Sequence, residues 1–424
     1  MIPGPPVNHR PAQDWRALVG VFWVTQLVET LGVSQVYALL PSYLREMGVP
    51  EADRLPFIGL FSSLVFVLGL PLVPLWGVWA DKISRKAVIV RSSVVLACVL
   101  GVAALAREPW QMAIAVMLIG LQLGNTGVML AGIRDVTPRA RLGVTIAIFG
   151  AAGPVGFAVG PAMAGLLIDG LGWSISTVYA TSACLAVGTA LLVAMGTREV
   201  RPDVVPQGSV LRLAFGAVRG VLADPDVRRL FLVYGIVFLA NQVSRPYTPV
   251  LVEGITGTGP GLATGIGLVM GVGSLVGALV SPAAGWAGDR IGFRPVLIAS
   301  LALGGVASLL MPAAPGLWLL AGASVLLGAA VATTGAMVMS LLATEVPAER
   351  RSATLNLVYL PLYIAGIIGP ALGGGLATAA GPGGPFIAGA VVFLGGALFI
   401  GLRGGREAGR TRDHEAVPEA PTLR

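Results

Sequence analysis

Long apolar runs separated by short loops are the feature that most limits how this 424-residue chain can fold. A bilayer core about 30 Å thick is crossed by about 20 apolar residues in a helix, and such runs recur along most of the sequence. Only 12% of the residues are charged, against roughly 25% in an average soluble domain. A soluble protein with so little charge would expose very large apolar patches. The sequence therefore predicts an all-α membrane protein that crosses the bilayer many times.

The apolar runs, and the charged or Gly/Pro-rich breaks between them, predict twelve membrane-spanning helices. Their predicted ranges are 17–43, 57–80, 87–106, 110–133, 142–167, 173–196, 230–252, 261–287, 295–313, 317–343, 353–378 and 385–403. The expected units are an N-terminal six-helix half at 1–196, a cytoplasmic linker at 197–229, a C-terminal six-helix half at 230–403 and a cytoplasmic tail at 404–424.

Basic residues distinguish the two sides of the predicted membrane protein. With the N-terminus inside, 24 of the 28 Lys and Arg residues fall in inner loops, tails or inner helix ends. The other four are Arg45, Arg54 and Arg107 in outer loops and Arg245 within a span. Positive charge concentrates on the cytoplasmic side of membrane proteins. We therefore expect a monomeric multi-pass protein of the inner (cytoplasmic) membrane with both termini in the cytoplasm. Because the basic residues are scattered, the lipid bilayer explains them better than a nucleic-acid partner does.

The two predicted halves are related by an internal repeat. Residues 77–86 match residues 285–294 at an offset of 208, and residues 160–165 match residues 369–374 at an offset of 209. Further coincidences at the offset of 208 are Pro41 with Pro249, Gly59 with Gly267 and Pro74 with Pro282. A duplicated unit with an even number of spans gives two parallel halves, and a substrate site is expected where they meet near the midplane.

The first repeated stretch carries a loop motif of the form G-x-x-x-D-[RK]-x-G-[RK]-[RK], with Ser84 in place of the second glycine. Its residues are Gly77, Asp81, Lys82, Arg85 and Lys86, and a weaker second copy has Gly285, Asp289, Arg290 and Arg294. Through these motifs the chain resembles the major facilitator superfamily, which implies twelve transmembrane helices in two pseudo-symmetric six-helix halves. The resemblance assigns both copies to a conformational gate that helps to lock the cytoplasmic side, with Asp81 and Arg85 as its main residues. The alternative is that the basic residues only anchor the inner surface.

A second motif lies on predicted helix 5 and resembles the G-x-x-x-G-P-x-x-G-G signature of drug/proton antiporters, with Ala164 in place of one glycine. The helix-packing motif comprises Gly156, Gly160, Pro161 and Gly165, and its repeat comprises Gly369, Pro370, Gly373 and Gly374. Small residues let helices approach closely and proline bends a span. Ordinary packing in a chain with 59 glycines is the alternative. Because Gly120 stands where many such antiporters have a helix 4 arginine, proton coupling would fall to other groups.

Glu29 is an ionisable residue in the middle of predicted helix 1. A charge at the bilayer centre costs about 3 kcal/mol on insertion scales. Proton-coupled exporters of the resembled family often carry a carboxylate on helix 1 before a proline such as Pro41. Because burial disfavours the charged form of a carboxylate, a proton can compete there with a cationic substrate. We therefore predict that Glu29 is the proton or cation coupling site, and a structural, hydrogen-bonded acid is the alternative.

Arg245, on predicted helix 7, is the other ionisable residue deep in a span. It is expected either to bind an anionic group of the substrate or to extend outward to Glu253 and lipid phosphate. Arg91, one turn into helix 3, is expected to extend to the inner surface. The predicted lining of the substrate cavity is Gln26, Tyr37, Gln122, Asn125, Thr126, Asn241, Arg245, Thr333, Thr334, Met337, Tyr359 and Tyr363. Such an apolar cavity with few polar groups would suit amphipathic ligands.

The sequence gives little support for catalysis. It has no G-x-x-x-x-G-K-[ST] nucleotide loop and no His/Cys/carboxylate cluster with metal-ligand spacing, so neither an enzyme nor a metal or cofactor is expected. With the resemblance, the sequence predicts a secondary active transporter that works by alternating access. We expect a proton-coupled exporter of amphipathic or drug-like small molecules. The alternatives are an importer or a lipid transporter on the same scaffold, or a membrane sensor that does not transport.

Overall fold

The computed structural model describes residues 14–200, 207–223, 225–345, 357 and 359–415, which form helices and loops without a β-strand. The first six membrane-crossing elements are α1 (Trp15–Glu46), α2 (Glu51–Lys82), α3 (Arg85–Leu105), α4 (Pro109–Val136), α5 (Arg139–Gly170) and α6 (Ile175–Gly196). The last five are α8 (Leu262–Ile291), α9 (Phe293–Ala313), α10 (Leu317–Glu345), α11 (Tyr359–Ala380) and α12 (Gly384–Glu415). The predicted start of helix 11, at residue 353, lies outside the described residues.

The seventh crossing, α7, is interrupted. It consists of Pro225–Ser244, a 3₁₀ turn at Arg245–Tyr247 and Thr248–Thr256. Within the described part of the chain, eleven helices are long and apolar enough to span a membrane, and α7 is not among them. Proline has no amide hydrogen, so Pro246 weakens the helix next to Arg245. A separate linker helix, Val210–Ala223, precedes α7 and packs against α2 and α7.

The helices pair in the same way in the two halves of the molecule. In the first half, α1 packs on α5 and α6, and α3 packs on α6. In the second half, α7 packs on α11 and α12, and α9 packs on α12. The most extensive contacts between the halves are those of α2 with α11 and of α5 with α8. The predicted fold of twelve helices in two pseudo-symmetric halves is therefore confirmed, and the exact boundaries of the halves stay a prediction.

The bundle has two ends, which we call the tail end, where α1 begins and α12 finishes, and the far end, where α1 finishes and α2 begins. At the far end the halves are joined by an ion-pair cluster. Arg45 on α1 and Arg54 on α2 both donate to Oε1 of Glu253 on α7, at 2.7 and 2.9 Å. The backbone N–H of Thr264 on α8 donates to Asp169 on α5 at 2.7 Å. The far end is therefore closed.

The glycines of the predicted packing motif lie where helices approach most closely. A Cβ atom at Gly160 would lie 2.5 Å from the carbonyl oxygen of Leu31 on α1, and one at Gly165 would lie 2.8 Å from that of Ala263 on α8. Larger side chains there would force the backbones apart. Similar close approaches are made by Gly156 to α1, by Gly369 and Gly373 to α7, and by Gly374 to both α2 and Tyr247. The flanking prolines contribute backbone oxygens to the contacts, those of Pro161 near Gly267 and of Pro370 to the Tyr247 hydroxyl.

Candidate functional site

A cavity of about 500 Å³ lies between the halves, lined by residues of α5, α7, α8, α9 and α10. Along α8 the cavity extends from Met270 to Ser281. It begins on the tail-end side of the far-end contacts and continues toward the tail end. Its polar side chains are Asn241, Arg245, Thr248, Ser274, Ser281 and Ser324. The other described lining residues are glycine, alanine, proline or larger apolar residues, and none of them is a carboxylate. The cavity is therefore apolar with a single formal charge, that of Arg245.

Arg245 is placed at this cavity by the break in α7. Its guanidinium carbon lies 5.1 Å from the ring centre of Tyr37 on α1 and 4.5 Å from that of Phe157 on α5, both in the first half. These are cation–π distances. Among the described residues the guanidinium has no hydrogen bond or ion pair. Arg45 and Arg54 bind Glu253 instead, so the expectation that Arg245 extends outward to Glu253 is wrong.

Glu29 lies inside the first half and does not line the cavity. Its side chain is 3% exposed and is enclosed by α3 and α4. Ser92 donates to Oε1 at 2.8 Å, Ser93 donates to the same oxygen at 3.3 Å, and Asn125 donates to both carboxylate oxygens at 3.0 Å. Hydrogen bonds of this kind keep a buried carboxyl group in a defined position.

Arg91 is a cationic neighbour of this carboxylate. Its guanidinium carbon lies 3.6 Å from the ring centre of Trp76, and it is close enough to Glu29 for an electrostatic interaction. Its three side-chain nitrogens are buried and find no hydrogen-bond partner in the described part of the chain. The expectation that Arg91 extends to the surface is therefore wrong. Glu29 therefore has a basic residue close to it, which its position in the sequence did not indicate.

Further polar atoms around Glu29 are buried without a partner among the described residues, namely Trp76 Nε1, Gln122 Oε1 and Asn125 Oδ1. We call the group formed by Glu29, Trp76, Arg91, Ser92 and Asn125 the Glu29 pocket. An unpaired buried polar group costs about 1–3 kcal/mol. Several of them in one place are costly for folding, and such departures from good packing are expected at functional sites.

Three other residues predicted to line the cavity also lie in the first half. Thr126 donates to the side-chain oxygen of Gln26 at 2.9 Å, and the carbonyl oxygen of Gln122 accepts a 3.4 Å hydrogen bond from Ser92. Gln26 is on the same helix as Glu29, one turn earlier. The structure thus groups these polar side chains near Glu29 and away from the cavity between the halves.

The predicted residues of the second half are spread over several environments. The hydroxyl of Thr334 hydrogen-bonds that of Ser300 at 2.8 Å, Met337 is fully buried in the core, and Thr333 is also buried. Tyr363 packs on Phe66 of α2, with ring centres 5.8 Å apart. The side chain of Tyr359 lies outside the described residues. Of the predicted set, the described cavity lining includes Asn241 and Arg245, with Tyr37 against Arg245.

The first copy of the loop motif forms an ion-pair network at the tail end. Arg85 is 4% exposed and binds Asp81 at 2.8 Å and Asp135 at 2.6 Å. Glu199, which follows α6, accepts hydrogen bonds from the Ser84 hydroxyl and from the backbone N–H of Arg85. Ser84, the departure from the family pattern, therefore has a partner at the start of the segment that follows the first half. Neither Asp135 nor Glu199 was predicted from the sequence.

The other motif residues lie nearer the surface. Lys82 donates to the carbonyl oxygen of Gly208, and Lys86 donates to that of Thr197 at 2.8 Å. In the second copy, Asp289 and Arg290 are exposed, and Arg290 stacks on Trp286 at 4.1 Å. A Cβ atom at Gly77 or Gly285 would meet nothing within 4 Å, and Arg294 lies in the first turn of α9. The two copies thus differ in their contacts, and their role as a gate stays a prediction.

The far-end cluster was also missed, although the sequence held a signal for it. Arg45 and Glu253 are 208 residues apart, which is the offset of the internal repeat. They therefore occupy equivalent positions in the two halves and carry opposite charges. Equivalent positions face each other across the pseudo-symmetry axis of a duplicated bundle, so a repeat pair of opposite charge near that axis indicates an ion pair.

Comparison with known proteins gives a family and a fold. A family model described as Major Facilitator Superfamily matches residues 22–263 and 230–423. The chain is 26% identical over 391 residues to the multidrug resistance protein MdtG of Enterobacter lignolyticus (strain SCF1), covering 92% of each protein. It is 28% identical over 290 residues to MdtG of Citrobacter koseri, covering 68% of this chain and 70% of the relative.

Solved structures agree with this architecture. A mutant of the nucleoside transporter NupG has a TM-score of 0.75 at 14% identity, covering 91% of this chain and 98% of that one. The human organic anion transporter MFSD10 (TETRAN) has a TM-score of 0.68 at 19% identity, covering 92% of this chain and 100% of that one. At these identities the likeness concerns the fold.

Proposed function

This chain belongs to the major facilitator superfamily, and on that premise we propose that it is a proton-coupled exporter of amphipathic, drug-like small molecules. It is a multi-pass membrane transporter and not an enzyme. The relatives named for multidrug resistance support export of structurally varied compounds. The observation that carries the proposal is the apolar cavity of about 500 Å³ between the halves, because ligand sites of roughly 300–1,000 Å³ accept drug-sized molecules.

Alternating access would then follow from rocking of one half against the other. The far-end ion pairs of Arg45 and Arg54 with Glu253 hold that end closed, while the cavity extends toward the tail end. We take this as the state that receives cargo from the cytoplasm. The opposite state would break the far-end pairs and close the tail end, where Asp81 and Arg85 are the proposed gate residues.

Protons are proposed to act at the Glu29 pocket. Hydrogen-bond donors and a nearby guanidinium favour the charged form of a carboxyl group, whereas burial favours the protonated form, so a change in these surroundings would bind or release the proton. Protonation of Glu29 would leave Arg91 as an unpaired buried charge, which favours rearrangement of α1 against α3 and α4. In this view Arg91 on α3 supplies the positive charge that many such antiporters have on helix 4, where this chain has Gly120.

Orientation and organisation complete the proposal. The tail end is taken to face the cytoplasm, because it carries most of the basic residues, and the protein is taken to act as a monomer in the inner membrane. The proposed units are the halves at 1–196 and 230–403, the linker at 197–229 and the tail at 404–424. A cysteine placed at Leu171 should react with a membrane-impermeant reagent from outside, whereas one placed at Ser209 should not.

The experiment that tests the function is transport in proteoliposomes. A pH gradient imposed across the membrane should drive amphipathic compounds in the direction opposite to the protons, and dissipation of the gradient should stop net movement. Protein-free liposomes control for diffusion. Movement in the same direction as the protons would identify an importer, and binding without pH-driven flux would identify a sensor. Either result would overturn the proposed export.

A further inference from the structure

We propose that the cargo of the central cavity is an amphipathic anion, with its carboxylate, sulfonate or phosphate group on Arg245 and its apolar body between α8 and α10. This inference rests on the proposed function and deepens it by naming the class of substrate. Carriers for amphipathic compounds need a polar anchor as well as an apolar wall, and Arg245 is the charged side chain among the described residues that line this cavity.

The charges around the cavity favour an anion. The described lining includes no carboxylate, and two acidic residues on α1 and α7, Glu29 and Glu253, have other partners. Glu253 is bound by Arg45 and Arg54, and Glu29 is enclosed inside the first half. A cationic cargo would therefore meet a fixed positive charge with no compensating acid, at a site where low polarity strengthens the repulsion.

The contacts of Arg245 leave its hydrogen-bond donors available. Tyr37 and Phe157 lie at cation–π distance from the guanidinium, and such rings interact with its charge and its flat faces. An arginine side chain has five N–H donors arranged in a fork that matches a carboxylate or phosphate group. In the described part of the chain no acceptor binds this fork. Arg85 at the tail end differs, because two carboxylates bind it. The cavity thus holds a guanidinium positioned by aromatic rings and without an anion from the protein.

The rest of the cavity suits an apolar body. The wall continues from Arg245 along α8 and α10 with Met270, Leu327 and Val331, and Met311 of α9 completes it. The hydroxyl of Ser324 is used within the fold, because it donates to the carbonyl oxygen of Val269 at 2.7 Å. Most of the wall therefore offers dispersion contacts and few specific hydrogen bonds, which allows bodies of different shape next to one fixed anion anchor.

The test uses three probes that share one aromatic body and differ in charge, namely naphthylacetate, naphthylacetamide and naphthylethylammonium. Binding to the purified full-length protein is measured by equilibrium dialysis at neutral pH. Naphthylacetate should bind about tenfold or more tightly than the ammonium probe, because a hydrogen-bonded ion pair adds that much. Arg245→Gln should weaken the binding of naphthylacetate by a similar factor and leave the affinity for naphthylacetamide within about threefold of the wild-type value.

Two further variants control the comparison. Arg245→Lys keeps the charge and loses the fork, so its affinity for naphthylacetate should lie between those of the wild type and Arg245→Gln. Arg16→Gln removes an arginine that also stacks on an aromatic ring, Trp15, but lies exposed outside the cavity and outside the gate motif, and it should leave all three affinities unchanged. The order of the three probes on the wild type is itself a test that needs no variant to fold.

Equal or tighter binding of the ammonium probe, binding of none of the probes, or an undiminished preference for naphthylacetate in Arg245→Gln would overturn the inference. The proposed function fails in a different way. If naphthylacetate binds through Arg245 but an imposed pH gradient does not move it across proteoliposomes, the anion site stands and the proton-coupled export is wrong.

Discussion

Glu29 and Arg245 are the two ionisable residues that the sequence places deep in the membrane, and their surroundings differ. Glu29 is enclosed within one half, with donors from α3 and α4 on both carboxylate oxygens. Arg245 lies between the halves, contacts two aromatic rings and lines an open cavity. A protein that used one site for both proton and cargo would bring these charges together. Under the proposed function, proton coupling and cargo binding therefore occupy different places.

Separate sites need a mechanical connection, and α1 provides one. It carries Glu29 in the first half, Tyr37 against Arg245 and Arg45 in the far-end cluster. It also packs closely on α5 through Gly156 and Gly160. A shift of α1 caused by protonation would therefore reach the cavity and the far-end closure at the same time, because a packed helix moves largely as a rigid unit.

The largest expected effect comes from removing the titratable group of Glu29 while Arg245 is left unchanged. Glu29→Gln keeps the shape of the side chain and mimics the protonated state. Transport driven by a pH gradient should fall about 100-fold or more, because the side chain can no longer take up or release a proton, whereas binding of naphthylacetate at Arg245 should stay within about threefold of the wild-type affinity. The readout is flux in proteoliposomes with matched protein content. A variant that responds to the gradient like the wild type would move the coupling site away from Glu29.

A smaller effect is expected from the cation beside Glu29. Arg91→Met should lower pH-driven flux about tenfold and shift its pH profile, because the carboxylate loses its nearby positive charge. Arg16→Met is the matched control, since Arg16 also stacks on a tryptophan, Trp15, but is exposed and lies outside the gate motif. Initial rates are measured over a series of internal pH values. If both variants lose the same amount of activity, Arg91 has only the general role of an arginine–tryptophan pair.

Weakening the far-end cluster should open the cavity to the outside while the Glu29 pocket stays protected. Glu253→Gln should raise the labelling of a cysteine at Ser274, in the cavity, by a membrane-impermeant reagent from outside. An increase of about threefold to tenfold is expected from weakening one partly buried cluster of ion pairs. A cysteine at Thr25, which is fully buried one turn before Glu29, should remain protected. The background must lack Cys98 and Cys184, which are both exposed. Equal labelling of the two positions would contradict separate access.

The smallest effect is expected at the tail end. Asp81→Asn should shift the population of states by less than about threefold, because Arg85 keeps its second partner, Asp135. Spin-label distances across the tail end report the shift. Asp14→Asn changes an exposed acidic residue at the same end but outside the gate motif, and it should leave the distances unchanged. A shift larger than that of Glu253→Gln would make the tail end the stronger closure.

The sequence predicted depth in the membrane better than the direction in which side chains point. Glu29 was expected near the middle of a span, and the structure has it buried there. Hydropathy does not give the rotation of a helix, which depends on contacts such as Gly156 and Gly160 against α1. For that reason Asn125 and Thr126 were expected at the cavity and lie instead beside Glu29 and Gln26.

Arg91 shows the same limit for a long side chain. Its place one turn into α3 favoured the surface, but Trp76, from α2, offers a ring face in the interior. No spacing along the chain reports that contact. Duplication was more informative, because the repeat offset relates Arg45 to Glu253 and the structure pairs them. The helix count, the halves and the repeat thus follow from the sequence, whereas the neighbours of each charge follow from packing.

The most direct test of separate coupling and cargo sites is exchange of labelled for unlabelled cargo by Glu29→Gln in proteoliposomes without a pH gradient. The variant should exchange naphthylacetate at a rate within about threefold of the wild type and with no dependence on pH, because the cavity at Arg245 is intact and only the proton site is removed. Loss of exchange together with loss of cargo binding would place Glu29 in the cargo site and contradict the account.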